Sequence, residues 1–384
     1  MKNKFILKVK DNIIDKINNS SINILKFKLK KTGIVLNDYV KGEVIIVSGR
    51  KTSGKSSFIL KNYIMDPMEQ KYILKKELDL KIMYFSTKKT YTETIEKMST
   101  YYISSLYKED MIKGKLSVAS FYRYPGAIIK LTKELAVTYM SRAISYINNF
   151  IKQDYLEIIA GSYTIDEIIT IVKDSFSNKG IFNSRETSFE YTDKDESFIP
   201  IIVVDDVSLI IGDNGLNCVK GENANRLGME LKKLAKMLSA VIVINVPSSS
   251  VSKSFGKKER YYVNSVDEIG PYTYYADKIL FMHNPMETED FHPFGYTLDN
   301  FTSKKNGICY FRYLNIAANT LGPSGVVIPY FFFPQSSQMY ELPKGTEEQS
   351  LKVFYDIVKQ KESAITKSIA NNNNNNNNND EKKD

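Results

Sequence analysis

The stretch Val44-Ile45-Ile46-Val47-Ser48-Gly49-Arg50-Lys51-Thr52-Ser53-Gly54-Lys55-Ser56-Ser57 decides how this chain folds. Val44–Val47 is a short β-branched run, suited to a buried strand. Gly49 to Ser56 fits G-x-x-x-x-G-K-[ST] at every fixed position, and a helix-compatible stretch opens at Ser56. Strand, glycine loop and helix in that order make a phosphate cradle. Gly49 and Gly54 let the backbone curl, so that N–H groups across Arg50, Lys51, Thr52 and Ser53 and on to Ser57 face phosphate oxygens. The helix N-terminus adds a favourable dipole. In this motif Lys55 reaches the β- and γ-phosphates and the Ser56 hydroxyl ligates Mg²⁺. The expected cofactors are therefore ATP and Mg²⁺.

Ile201-Ile202-Val203-Val204-Asp205-Asp206 supplies the second acidic element. A carboxylate at the end of a buried strand is where a phosphate-loop protein holds Mg²⁺. Asp205 is the preferred residue; Asp206 then points away, or towards the attacking water. Further strands are expected at Ile82–Phe85, Leu156–Ile159, Val241–Ile244, Lys278–Met282, Ile308–Leu314 and Val326–Phe333, and one is open at Ser117–Phe121. Residues 222–238 read as a helix with Leu227, Leu231, Leu234, Ala235 and Leu238 on one face. Residues 178–197 read as a polar loop. Strands alternating with helices give an α/β fold: a mostly parallel central sheet flanked by helices, with a C-terminal antiparallel extension.

Composition narrows the class. Of 384 residues, 42% are hydrophobic and 25% charged, as in ordinary globular proteins. No run approaches the roughly 18 apolar residues of a spanning helix, so no membrane partner is expected. MKNKFILKVKDN is interrupted by Lys8 and Lys10 and does not read as a signal peptide. Two cysteines, Cys218 and Cys309, make neither a disulfide framework nor a four-cysteine metal site, which points to the cytosol, that of a host if the protein is viral. The net charge of +9 suits a polyanionic partner.

Five blocks in order resemble the RecA-like motor domain of DnaB-type replicative helicases, especially the tailed-phage forms. They are Lys41–Ser57; Ile82-Met83-Tyr84-Phe85-Ser86; Ile201–Leu209; Leu231-Lys232-Lys233-Leu234-Ala235-Lys236 with Val241–Asn245; and Ala276-Asp277-Lys278-Ile279-Leu280 with Gly322-Pro323-Ser324-Gly325. The last tetrapeptide is the most discriminating. The resemblance covers about residues 38–342 and implies a RecA-like P-loop NTPase core. It also implies a homo-oligomer, a hexameric ring on single-stranded DNA, with other replication proteins as partners. The family's primase-interacting domain has no counterpart here.

The chain departs from that pattern at the positions that cleave ATP. The family's water-activating glutamate is matched by Lys88, with Glu93 or Glu96 as substitutes one or two helical turns later. The lysine and arginine that reach a neighbour's nucleotide are matched by Ala318 and Thr320. The γ-phosphate-sensing glutamine falls on Val246 or Pro247, depending on a one-residue alignment choice. Arg312 and Lys304–Lys305 are available cations. Losing an arginine from the transferring phosphoryl is worth about 10³–10⁵ in rate. Losing the base costs a further ~10²–10⁴.

In RecA-like rings the loops after the third and fourth core strands face the channel. Here these are 212–225 and 248–262. The second carries Lys253, Lys257, Lys258 and Arg260 among serines and glycine, suiting a phosphate backbone tracked without base readout. Phe255, Tyr261 and Tyr262 would stack on bases. A solvated surface loop is the competing reading of that segment. The resulting partition is a basic linker or docking helix at 1–37, a RecA-like ATPase domain at 38–345, a C-terminal helix at 346–369, and a disordered polyasparagine tail at 370–384. Three functions follow in order. The first is an ATP-binding DnaB-like DNA helicase of phage-type replication. The second is a catalytically degenerate paralogue that assembles with or loads an active partner. The third is a RecA-like recombinase.

Overall fold

The computed structural model describes residues 25–75, 78–106, 133–185, 187–192, 197–248, 263–287, 293–305, 307–334, 336–360 and 363. Its centre is a nine-stranded sheet. The strands are β1 (Val44–Gly49), β2 (Asp79–Ser86), β3 (Leu156–Ala160), β6 (Phe198–Asp205), β7 (Val241–Pro247), β8 (Lys278–His283), β9 (Phe311–Asn319), β10 (Val326–Phe333) and β11 (Gln338–Glu341). They lie side by side in the order β11-β10-β9-β8-β1-β7-β6-β2-β3. The six from β8 to β3 run parallel, whereas β9, β10 and β11 join antiparallel at one edge. The mostly parallel sheet and its antiparallel extension are those expected from the sequence.

Side-chain alternation along a strand divides the core. Ile45, Val47, Ile82, Tyr84, Ile201, Val203, Val241 and Val243 face one side. Val44, Ile46, Met83, Phe85, Ile202, Val204, Ile242 and Ile244 face the other. Both faces are covered, so the central strands are apolar throughout. Pro200 is tolerated inside β6 because the ladder to β7 begins one residue later, at Ile201.

The first face is covered by α1 (Lys30–Leu36) and a long helix after the phosphate loop, α2 (Lys55–Ile59) and α3 (Asp66–Leu74), joined by a π-helical turn at Leu60–Met65. Pro67 donates no hydrogen bond and crowds the preceding turn, and the wider π turn lets the helix pass it unbroken. This face also takes α4 (Tyr91–Leu106) and α5 (Lys133–Lys152). Leu25, Phe27, Leu29 and Leu36 are buried in the same cluster. The other face carries α6 (Ile165–Phe176) and α7 (Gly221–Met237), the latter with the leucine stripe predicted. A third, aromatic cluster of Tyr296, Phe301, Tyr310, Phe311 and Phe331 packs beyond the sheet under Leu351, Ile357 and Val358 of a helix over 348–360.

Three local differences from the sequence reading appear. The polar stretch after α6 contains a hairpin, β4 (Gly180–Phe182) with β5 (Phe189–Tyr191). Its Tyr191 ring packs on Phe198 and Phe189 on Tyr191, which propensity for loops does not foresee. β9 begins at Phe311, three residues later than expected, because Thr302 and Cys309 first close a separate bridge. β11 was not expected; it adds to β10 through Phe333↔Gln338. The possible strand at Ser117–Phe121 lies outside the described residues.

Candidate nucleotide site

Parallel strands end at one edge of the sheet, and ligands of open α/β sheets bind outside that edge. Along it lie, in strand order, the loop after β1, Asn245 near the end of β7, Asp205 at the end of β6, and Lys88 just past β2.

The loop after β1 has the geometry of a phosphate cradle. Gly49 lies at φ +140°, and a Cβ there would sit 2.2 Å from the Met282 carbonyl oxygen, so no other residue fits. Gly54, at φ +101°, turns the chain into α2. The Lys55 ammonium donates to the carbonyls of Gly49 and Arg50, each at 2.7 Å, which holds it across the loop mouth. The Ser56 hydroxyl donates to Asp205 Oδ1 at 2.8 Å. Thr52 takes φ +72°, and its carbonyl accepts from Arg312 Nη2 at 3.4 Å. Ser53 is buried behind the loop. The Ser57 hydroxyl meets that of Ser337 at 3.0 Å. Arg50, Lys51, Lys55 and Ser56 line the cleft itself.

Asp205 is the centre of a small polar set. Its Oδ1 accepts from Ser56 and from Asn245 Nδ2, and its Oδ2 from the Tyr84 hydroxyl at 3.0 Å. Burial, and then the Asp205 charge, push the Tyr84 phenol well above its usual range, so Tyr84 stays a donor. Asn245 Nδ2 also approaches Ser56 Oγ at 3.2 Å, while its buried Oδ1 has no hydrogen-bond partner. The Ser56 hydroxyl and the Asp205 carboxylate, oriented by the Asn245 amide N–H, fit Mg²⁺. That ion keeps several waters and completes its shell with phosphate oxygens. Among the described residues no group of three or more His, Cys, Asp or Glu forms an all-protein cage.

Asp206 is engaged differently. Its Oδ2 pairs with Lys88 Nζ at 2.6 Å, and its Oδ1 accepts from the Ser208 N–H at 2.8 Å. The Thr87 hydroxyl donates to the Asp206 carbonyl at 2.7 Å, which anchors the loop bearing Lys88 to β6. Asp206 is 4% exposed, whereas the Lys88 side chain is 51% exposed. Glu93 closes a capping box, accepting from the Thr90 N–H at 2.9 Å at the start of α4. Its carboxylate is thereby occupied at the helix end.

The cleft has a volume of about 1060 Å³. Among the described residues, Arg50, Lys51, Lys55, Lys88 and Arg312 line it against one carboxylate, Asp206. Arg312 is 5% exposed, is held by the Cys309 and Phe311 carbonyls, and lies 5.2 Å from the Phe332 ring centre. Ile308, Met286 and Phe332 give the same wall an apolar part. Of the two residues matched to the sensing glutamine, Pro247 lines the cleft and Val246 lies in the core. Thr320 donates its hydroxyl to the Asp277 carbonyl at 2.8 Å, and Ala318 packs against the α6–α7 face. Lys304 and Lys305 are exposed and do not line the cleft. Lys253, Lys257, Lys258 and Arg260 lie outside the described residues. In the other loop, Arg226 is paired with Asp166 and Asp213, which neutralises its charge.

Sequence reading missed Asn245 and Tyr84. Asn245 left a signal, as the one polar residue in Val-Ile-Val-Ile-Asn-Val-Pro. Tyr84 left none, since an aromatic in a buried strand reads as packing. His283 stacks on Tyr313 at 4.8 Å; burial, and then the Arg50 charge, push its imidazole down to about 3, so it is neutral and structural. Burial pushes the Cys218 thiol up to about 11, which keeps it inert.

No protein-family model and no curated protein sequence matches the chain. Solved structures do. The ATPase domain of a phage helicase superposes with a TM-score of 0.59 at 16% identity, over 88% of this chain and 99% of that one. A DnaB-like replicative helicase, described with its interactions with primase, superposes with a TM-score of 0.58 at 15% identity, over 88% of this chain and 66% of that one. The fold is therefore that of a DnaB-type RecA-like domain.

Proposed function

We propose that this chain binds Mg·ATP through Lys55, Ser56 and Asp205 and works as a DnaB-like helicase, an oligomeric ring on single-stranded DNA in phage-type replication. The observation that carries the reading is the 2.8 Å bond from Ser56 to Asp205. It joins the end of the phosphate loop to the end of β6, where a cation bridging two phosphates would be held. The DnaB-type fold supports the ring and DNA parts of the reading. The basic segment Lys253–Arg260 would follow the DNA backbone.

One observation favours a second reading, a paralogue that holds ATP, hydrolyses it slowly and assembles with or loads an active partner. The position of the water-activating carboxylate carries Lys88, and Lys88 is tied to Asp206. Steady-state ATP hydrolysis with and without single-stranded DNA, beside Lys55→Ala, tests the pair. DNA-stimulated turnover near ~1–100 s⁻¹ supports the helicase. ATP binding with hydrolysis no faster than the variant supports the paralogue. Absence of ATP binding rejects both.

A further inference from the structure

We propose that Lys88, positioned by Asp206, is the residue that tells a nucleoside triphosphate from a diphosphate at this site. The inference rests on the nucleotide-binding reading above and adds a role for a side chain which that reading treats only as a loss.

The argument is one of direction along the strand ends. A phosphate chain cradled by the loop after β1 starts at that strand. The metal-binding pole, Ser56 with Asp205, lies across β7 at the end of β6. One strand further, β2 ends, and Lys88 follows within two residues. A chain running from the loop past the metal pole is thus aimed at Lys88, which lines the same cleft as Lys55 and Ser56. On this path the terminal phosphate of a triphosphate extends furthest towards Lys88.

The Lys88 side chain is built for reach and not for packing. Half of it is exposed, and its ammonium is held at the cleft by Asp206. Asp206 is itself fixed by the Ser208 N–H and by the loop contacts of Thr87. A buried carboxylate that pins a half-exposed lysine restricts the lysine's rotamers without neutralising its remaining donors, since an ammonium carries three. A terminal phosphate would take those donors. The contact is charge-assisted and partly desolvated, the conditions under which one side chain contributes measurably to affinity.

The test is direct binding of Mg·AMP-PNP and of Mg·ADP to the full chain, measured for the unaltered protein, Lys88→Ala and Lys88→Arg, with Lys55→Ala as a control. Lys88→Ala is expected to weaken AMP-PNP about 10- to 100-fold, the range of one charge-assisted contact, and to leave ADP within about twofold. Lys88→Arg keeps the charge and is expected to keep most of the discrimination. Equal weakening of both nucleotides, or weakening of neither, overturns the assignment while leaving nucleotide binding intact. If the unaltered protein binds neither nucleotide, the nucleotide reading and this inference both fall.

Discussion

The two ends of the cleft make opposite use of the same scaffold. At the phosphate-loop end, Ser56, Asp205 and Asn245 are hydrogen-bonded to one another, and Lys55 is held across the loop mouth by the Gly49 and Arg50 carbonyls. At the far end, Lys88 stands where the resemblance implies a water-activating carboxylate, and Glu93 caps a helix, while Ala318 and Thr320 lie away from the cleft at the opposite edge of the sheet. Both ends sit on well-packed strands, so the contrast is chemical and not a matter of fold. Binding and cleavage are separable functions. On the second reading proposed above, the site keeps the first because its charges and cradle are intact and slows the second because Lys88 stands where a group orienting water is expected.

The comparison breaks most decisively at Lys55. Lys55→Ala removes two or more charge-assisted contacts to phosphate and is expected to weaken Mg·ATP at least about 100-fold by calorimetry. Unchanged affinity would mean that the loop end is not the phosphate site. The far end is sharpened by gain of function. Lys88→Glu with Asp206→Asn places a carboxylate beside the cleft without like-charge repulsion, and single-turnover hydrolysis is expected to rise about 10²-fold, the low end for a positioned base. No rise would mean that the missing base is not what limits cleavage. Asn245→Ala tests the metal pole more gently. It deletes the donor to Asp205 and Ser56 and is expected to cost about 10-fold in Mg·ATP affinity, with little effect on binding measured in EDTA.

The smallest effect concerns Lys97 on α4. Burial lowers its ammonium to about 8, opposed by the attraction of Asp205 and helped by a smaller repulsion from Lys89. Its folded value lies below its unfolded one, so the unfolded chain binds more protons in between. Stability contributed by this group therefore rises as pH increases from about 8 towards the ordinary lysine value. Lys97→Met is expected to flatten the denaturation midpoint across that window. A slope unchanged by the substitution would assign it to other groups.

Much of this was legible in the residues. Val44–Ser57 announced strand, loop and helix because each glycine and the lysine answer a local geometric demand. Ile201–Asp205 was legible because a two-sided buried strand must be apolar until it surfaces. The β4–β5 hairpin was not, since its aromatics gain their stability from Phe198, far from turn chemistry. Nor was Tyr84, whose ring packs like any core aromatic while its hydroxyl serves Asp205.

The sequence by itself determined the strand–glycine loop–helix unit, the central parallel strands and the absence of a glutamate at position 88, because these follow from local backbone geometry and residue type. Only the tertiary structure decided that Asp205 meets Ser56, that Asn245 reaches the same hydroxyl, and that Lys88 is held by Asp206 at the far end of one cleft. Those contacts join residues between 118 and 189 positions apart in the chain. Strand order, set by packing on both faces of the sheet, brings them together, and no local pattern encodes it.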